Sequence, residues 1–226
     1  MGRRGAGSFS HSARISSLFR TPIKASKPGR GAVGHLGEST SEYDGQRQKD
    51  HVPEDEEKVR QTATLLVEGF KGHTPAWPDL DAALEEIDES FAPGRISRVA
   101  VDEQGTVLGW IGGQPHYEGH VWELHPLVVH PDRQRKGIGR ALVADLEEQV
   151  RARGGITLWL GTDDEDNRTS LSGVDLYPNP LAHLAQIVNL GEHPFEFYQK
   201  MGFSIVGVVP DANGPGKPDI LMAKRV

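Results

Sequence analysis

The chain has no cysteine among its 226 residues. That excludes disulfide staples, thiolate nucleophiles and CxxC redox pairs. It also lacks any apolar run long enough to span a bilayer, and it has no secretory apolar segment. A cytoplasmic location without membrane partners is the expectation. Ten histidines are present, but none falls in HExxH or Cys/His spacing, so no metal is expected. No repeat or heptad appears. Apolar residues are scarce overall, at 36%, and the deficit sits at the front. Residues 1–50 hold nine Lys or Arg against four Asp or Glu, near +5; the rest carries 16 against 28, near −12. An acidic folded part disfavours binding along a phosphate backbone, so no nucleic-acid partner is expected.

The first 37 residues contain no acidic side chain. Residues 1–52 read as a basic, Ser/Gly-rich extension that cannot bury enough apolar surface to offset its ordering entropy, and disorder is expected there. Within it, Arg14, Ile15, Leu18, Phe19 and Arg20 suit one short amphipathic, basic turn. That composition overlaps with organellar transit peptides, but the favoured reading is an upstream start codon or a tail of no consequence. Residues 53–226 have the length of one ordinary domain.

In that part, Val59, Ala63, Leu66, Val67 and Phe70 share a helical face, and Leu80, Leu84, Ile87 and Phe91 mark a second helix ended by Pro93-Gly94. Ser97–Val101 and Val107–Gln114 read as strands joined by a turn. The polar stretch 163–179 reads as a loop, and Leu181, Leu184, Ala185 and Val188 as a helix. The strands Ser204–Val209 and Ile220–Lys224 follow. Two helices followed by interleaved strands and helices predict an α/β fold with a mixed sheet.

The richest stretch is Glu123 to Val143. The apolar run Leu127-Val128-Val129 meets a polar turn, then Gln134-Arg135-Lys136-Gly137-Ile138-Gly139-Arg140, then a helix with Ile138, Leu142, Leu146 and Val150 on one face. It is neither the dinucleotide GxGxxG nor the P-loop GxxxxGK[ST]. The glycines permit close backbone approach, and the first helical amides are unpaired and partly positive, which suits a pyrophosphate. The residues alone also fit a solvated basic turn.

Strand, [QR]xxGxG and helix resemble the acetyl-CoA-binding motif of the GNAT N-acetyltransferase superfamily. The strand from Gly154 to Gly161 and the segment His193–Phe203, with Tyr198-x-x-x-Gly202-Phe203, fit the same resemblance. More narrowly, Trp122–Val129, Gly161–Asp164, Gly207–Gly214, Lys217–Ile220 and Met222–Lys224 resemble aminoglycoside 6′-N-acetyltransferases of the enterococcal chromosomal type. The resemblance implies a single GNAT acyltransferase domain whose splayed central strands hold acetyl-CoA. It also implies a small polycationic amine as substrate and a homodimer.

Acetyl transfer from a thioester needs a neutral amine, a donor at the thioester carbonyl and a proton for the leaving thiolate. Glu123 and His125, at i and i+2 of one strand, face the same side and are the base candidates. The resemblance places Glu123 as base, directly or through water; the alternative roles are ammonium binding for Glu123 and a structural bond for His125. Tyr198 is the candidate proton donor to the thiolate, or else a core aromatic. Leu127, Val128 and Val129 would pair with the pantetheine amides like an added strand, and the resemblance gives the Leu127 N–H to the thioester carbonyl. Gln134 to Arg140 would hold the phosphates. Pro126 suits a break in the strand. Asp163 and Asp164, within the run Asp163 to Asp166, with Trp77, Asp79 and Asp81, would form an acidic and aromatic surface for a polycation. The rival acceptors are a protein lysine, an N-terminal amine or a polyamine. A non-catalytic acyl-CoA-binding module is the rival of another class.

Overall fold

The computed structural model describes residues 13–17 and 56–226. In chain order the elements are β1 (Arg14–Ser17), α1 (Glu56–Phe70), α2 (Leu80–Glu89), β2 (Ile96–Val101), β3 (Val107–His116), β4 (Val121–Val129), α3 (Ile138–Ala152), β5 (Thr157–Asp163), α4 (Pro180–Leu184), α5 (Phe195–Lys200), β6 (Ser204–Val209) and β7 (Asp219–Arg225). They build one sheet in the order β1-β2-β3-β4-β5-β7-β6. Only β4 and β5 run parallel; the other neighbours are antiparallel. This is the mixed α/β architecture expected from the alternation of elements.

Each face of the sheet has its own apolar cluster. On one, α1 and α2 bury Ala63, Leu65, Leu66, Ala83 and Ile87 against Val99, Val101, Trp110 and Val128. On the other, α3 buries Leu142, Leu146 and Val150 against Ile111, Trp122, Leu124 and Leu158, joined by Phe195, Tyr198 and Phe203. Truncating a fully buried Leu such as Leu146 to Ala would cost about 2–5 kcal/mol. Two helix starts follow the rules of local chemistry. Glu56 and Glu57 lie in the first turn of α1, and Asp79 caps α2 by accepting from the Ala82 N–H.

The strand β4 changes face partway along. Ile111 pairs with Leu127 but Gly113 pairs with Leu124, so the single β3 residue Gly112 faces two on β4. The extra residue is a β-bulge at His125-Pro126, and it reverses the in/out parity of the strand. Trp122 and Leu124 therefore pack with α3, whereas Val128 packs with α1 and α2. Gly112 makes the bulge possible, because a Cβ there would collide with the His125 carbonyl oxygen. Past the bulge β4 leaves its parallel neighbour: pairing with β5 covers only Val121 to Glu123. The central strands splay, as expected for a cleft that admits an extended ligand.

A buried ion pair ties the second half together. Glu147 on α3 accepts from Lys224 on β7 at 2.6 Å and from Arg151 at 3.0 Å. The same Lys224 donates to the Met201 carbonyl at 2.8 Å, fixing the end of α5.

Several expectations need correction. Arg14–Ser17 form a strand paired with Arg98 to Val101 rather than a disordered segment or an amphipathic turn; Leu18, Phe19 and Arg20 lie outside the described residues. The helix expected across Leu181 to Val188 is only Pro180–Leu184, and Leu181 and Val188 are exposed. The second helix stops at Glu89, before Phe91. The strand expected from Gly154 starts at Thr157. The loop after β5 is not wholly polar in its packing, since Leu171 and Leu176 plug it into the core.

Candidate active site

The bulge aims two β4 side chains at the α1/α2 face. His125 Nε2 lies 3.8 Å from Glu86 Oε1 on α2. Its ring sits 6.0 Å from that of Trp77, which in turn packs tilted against Phe70 at 4.7 Å. The ion pair with Glu86 is the largest cause that raises the His125 pKa, against the opposing effect of burial. Glu123 is the half-buried neighbour two residues earlier, and His116 Nε2–H donates to its Oε2 at 2.9 Å. The structure thus brings Glu123, His125 and Trp77 into one recess with Glu86 and His116.

Two more carboxylates border that recess from β5 and β7. Asp163 and Asp219 face each other in register. Asp163 accepts from Asn213 Nδ2 at 2.5 Å. Asp219 Oδ1 is sealed from solvent and has no hydrogen-bond partner among the described residues. Burial, with the charges of Asp163 and Glu123, pushes its pKa up to about 6. Gly161 makes room for it: a Cβ on that glycine would run into the Asp219 carboxylate.

The remaining acidic residues go elsewhere. Asp164, expected on the substrate surface, is fully buried. Its carboxylate accepts from the Arg168 and Thr169 amides and the Ser172 hydroxyl, so it organises its own loop. Asp166 is held by His73 at 2.8 Å and Arg168 at 2.7 Å, which straps the α1–α2 loop to the loop after β5. Asp79 serves α2 as its cap.

On the α3 side, the Gly-rich turn has the geometry of an anion cradle. Gly137 has φ 87°, and a Cβ there would meet nothing within 4 Å. The amides that open α3 have no intrahelical acceptor. Gly139 lies against Phe197, 3.4 Å from where its Cβ would be. These features fit a pyrophosphate approaching the backbone. The side chains are turned to local partners: Gln134 Nε2 donates to the Val129 carbonyl, Lys136 to the Asp132 carbonyl and Arg135 to Glu192. Arg135 and Glu192 are 79% and 78% exposed, and such surface pairs contribute about 0–1 kcal/mol, too little to hold Arg135 from a phosphate. Leu127 and Val129 pack against the α3 cluster. They lie beyond the β4–β5 pairing, on the stretch of β4 that borders the gap.

Tyr198, on α5, sits in the cluster against which Leu127 and Val129 pack. It is 8% exposed, with its ring edge-on to Phe197 and Phe203 at 5.1 and 5.6 Å. Its hydroxyl has no hydrogen-bond partner among the described residues, and burial raises its pKa, so it stays protonated. His193 anchors the helix that carries it: Nε2–H donates to the Asp163 carbonyl at 3.0 Å, and Nδ1 accepts from the Phe195 N–H at 3.2 Å. Burial is the largest cause lowering the His193 pKa, which favours the neutral ring that both bonds require.

Sequence reading missed Glu86, His116, Asp219 and His193. Glu86 carried a signal, a charge on the same helical stripe as the buried Ala83 and Ile87. Asp219 stood inside a segment already singled out for its resemblance. His193 likewise opened a segment singled out for its resemblance, whereas His116 is placed by strand pairing alone.

A family model for acetyltransferases of the GNAT family matches residues 61–177. A crystal structure of an aminoglycoside 6′-N-acetyltransferase complexed with coenzyme A is 47% identical, with a TM-score of 0.67 over 74% of this chain and 89% of that one. The aminoglycoside 6′-N-acetyltransferase from Enterococcus faecium is 44% identical, with a TM-score of 0.69 over 77% of this chain and 94% of that one. A curated acetyltransferase of Yersinia pestis is 32% identical over 76 residues, 34% of this chain and 48% of that protein. The match thus spans about half the length of such curated relatives.

Proposed function

This chain belongs to the acetyltransferase (GNAT) family, whose cofactor is acetyl-CoA, and from that premise we propose that it acetylates the 6′-amino group of aminoglycosides, conferring resistance to them. The observation that carries the reading is the acidic recess beside the strand gap. Glu86, Glu123, Asp163 and Asp219 border it, with Trp77 as an aromatic wall. Such a recess attracts a polycation and suits a small amine better than a phosphate-bearing acceptor. Similarity of 44% and 47% to two aminoglycoside acetyltransferase structures supports the same substrate class.

Acetyl-CoA, when bound, supplies the thioester. The amides opening α3, with Gln134, Arg135, Lys136 and Arg140, hold its phosphates, and the free edge of β4 from Leu127 to Val129 aligns its amides. Glu123 accepts the ammonium proton, directly or through a water. His125, held by Glu86, positions the amine against Trp77. The Leu127 N–H polarises the thioester carbonyl, and the Tyr198 hydroxyl supplies a proton to the departing thiolate. A second copy of the chain is the proposed partner. The edge strand β6 leaves Val206 and Val209 exposed, and α4 beside it leaves Leu181 exposed.

Thiol release from acetyl-CoA across a panel of 6′-amino aminoglycosides, peptides and polyamines tests the assignment. Turnover of kanamycin well above that of any peptide is the expected result. Turnover confined to peptides would move the acceptor to a protein amine, and cofactor binding without turnover would leave a binding module. Sedimentation at micromolar protein tests the dimer; a monomer alone would reject it.

A further inference from the structure

Acetylation of an ammonium by a thioester yields an amide, a thiol and one free proton. If Glu123 takes the ammonium proton, that proton needs a way out before the next turnover. We propose that His116 is the proton exit of Glu123. This rests on the acetyl-transfer reading of the site.

His116 makes the one hydrogen bond that Glu123 has among the described residues, Nε2 to Oε2 at 2.9 Å. The imidazole side chain is 38% exposed and the carboxylate 23%, so the pair runs from the recess toward solvent. His116 is the last residue of β3, and its ring is open to solvent there. The Trp159 ring stands edge-on to the imidazole at 6.0 Å and limits its tilt. The other nearby groups serve poorly as exits. Asp219 Oδ1 is sealed and unpartnered, and His125 turns to Glu86.

The proton balance closes. Protonated Glu123 gives its O–H proton to Nε2 of the ring in its Nδ1–H form, and Nδ1 releases its proton to water. The O–H bond on Glu123 and the N–H bond at Nδ1 break; an N–H bond at Nε2 and an O–H bond on water form. The products are the Glu123 carboxylate and a ring whose Nε2–H donates to it, which is the resting hydrogen bond. Tautomer exchange through solvent at the exposed ring readies the next cycle. His116 acts through Glu123, so it is a positioning residue and a proton path, not a group that touches the amine.

Two measurements on the full chain test this. In weakly buffered solution His116→Ala should lower kcat about tenfold, less than the roughly 10²–10⁴-fold of a group that itself takes the substrate proton, with the amine KM within about twofold. Added imidazole should restore most of the rate, because it replaces the missing ring. His116→Gln keeps a donor to Glu123 but carries no proton onward, so it should show the same kcat loss. An unchanged kcat, or a loss that imidazole does not repair, overturns the proposal. Independently, the ring ¹⁵N signals of His116 without substrate should change on Glu123→Gln; unchanged signals also overturn it. The kinetic arm uses whichever amine the wild type turns over, so a peptide acceptor would fail the aminoglycoside reading and still test the exit. No turnover with any amine fails the acetyl-transfer reading itself and takes the exit with it.

Discussion

Gly112 on β3 sits directly beneath the carbonyl of His125 on β4, with no room for a methyl group between them. This contact lets β4 take in its extra residue, reverse its faces and point Glu123 and His125 at the acceptor recess. One missing side chain on the neighbouring strand thus decides where the chemistry faces.

Gly112→Ala should therefore damage activity more than its size suggests. The added carbon forces the bulge to shift, at about 1–3 kcal/mol of stability for an overpacked site. Urea unfolding reads the first effect and thiol release the second. Turnover should fall with coenzyme A affinity largely kept, because the Gly-rich turn lies elsewhere. A variant as active as the wild type would show that the bulge does not set the site.

Tyr198→Phe separates packing from chemistry. The hydroxyl has no partner to lose, so stability should change by less than about 0.5 kcal/mol. If the proton donor role holds, kcat should drop while the amine KM stays. Equal kcat in the two proteins would return Tyr198 to the role of a core aromatic.

Asp219 carries a pH signature. Its folded pKa is pushed up to about 6 from the usual 3.8, chiefly by burial. A raised pKa means that the folded chain binds the proton more tightly. The associated stability is present below pH 3.8 and is lost as pH rises through 6. Asp219→Asn removes that loss. The variant should gain about 1 kcal/mol over the wild type at pH 7.5 relative to pH 4, well under the full linkage value because the residue is only partly buried. Thermal denaturation at the two pH values checks it; no difference in the gap between them would refute the shift.

Arg135 and Glu192 give opposite outcomes for cofactor affinity. If Arg135 leaves its exposed partner for a phosphate, Arg135→Ala should weaken coenzyme A about three- to tenfold, one charge-assisted contact. Glu192→Gln should leave affinity unchanged or improve it, since a competing acceptor is gone. Calorimetry at low and high salt distinguishes the two. Equal weakening by both would mean that the pair itself shapes the cradle.

Much of this was legible in the sequence where local rules govern. The turn Gln134 to Gly139, the stripe of α3 and the strand Ser204–Val209 follow from periodicity and glycine placement alone. Of the candidate site, Glu123, His125, Trp77 and Tyr198 could be named from the sequence. The rest depends on contacts distant in sequence. Pro126 signalled a break, but only the pairing with Gly112 turns it into a change of face. Asp164 read as part of a substrate-facing acidic surface, and three donors within its own loop draw it inside. The apolar spacing after Asn179 promised a helix, yet with Leu181 and Val188 turned to solvent it keeps only one turn. Glu86 gains its meaning from His125 on another element.

The strand Arg14–Ser17 has a consequence for where the folded unit begins. It pairs along β2, and Ile15 packs into the α3 cluster, while the next described element starts at Glu56. A cut at residue 53, which composition alone recommends, would take away an outer strand of the sheet. The backbone of β2 would become a bare edge, open to pairing with other chains. A shortened version faithful to the described fold must keep residues 14–17 together with residues 56–226.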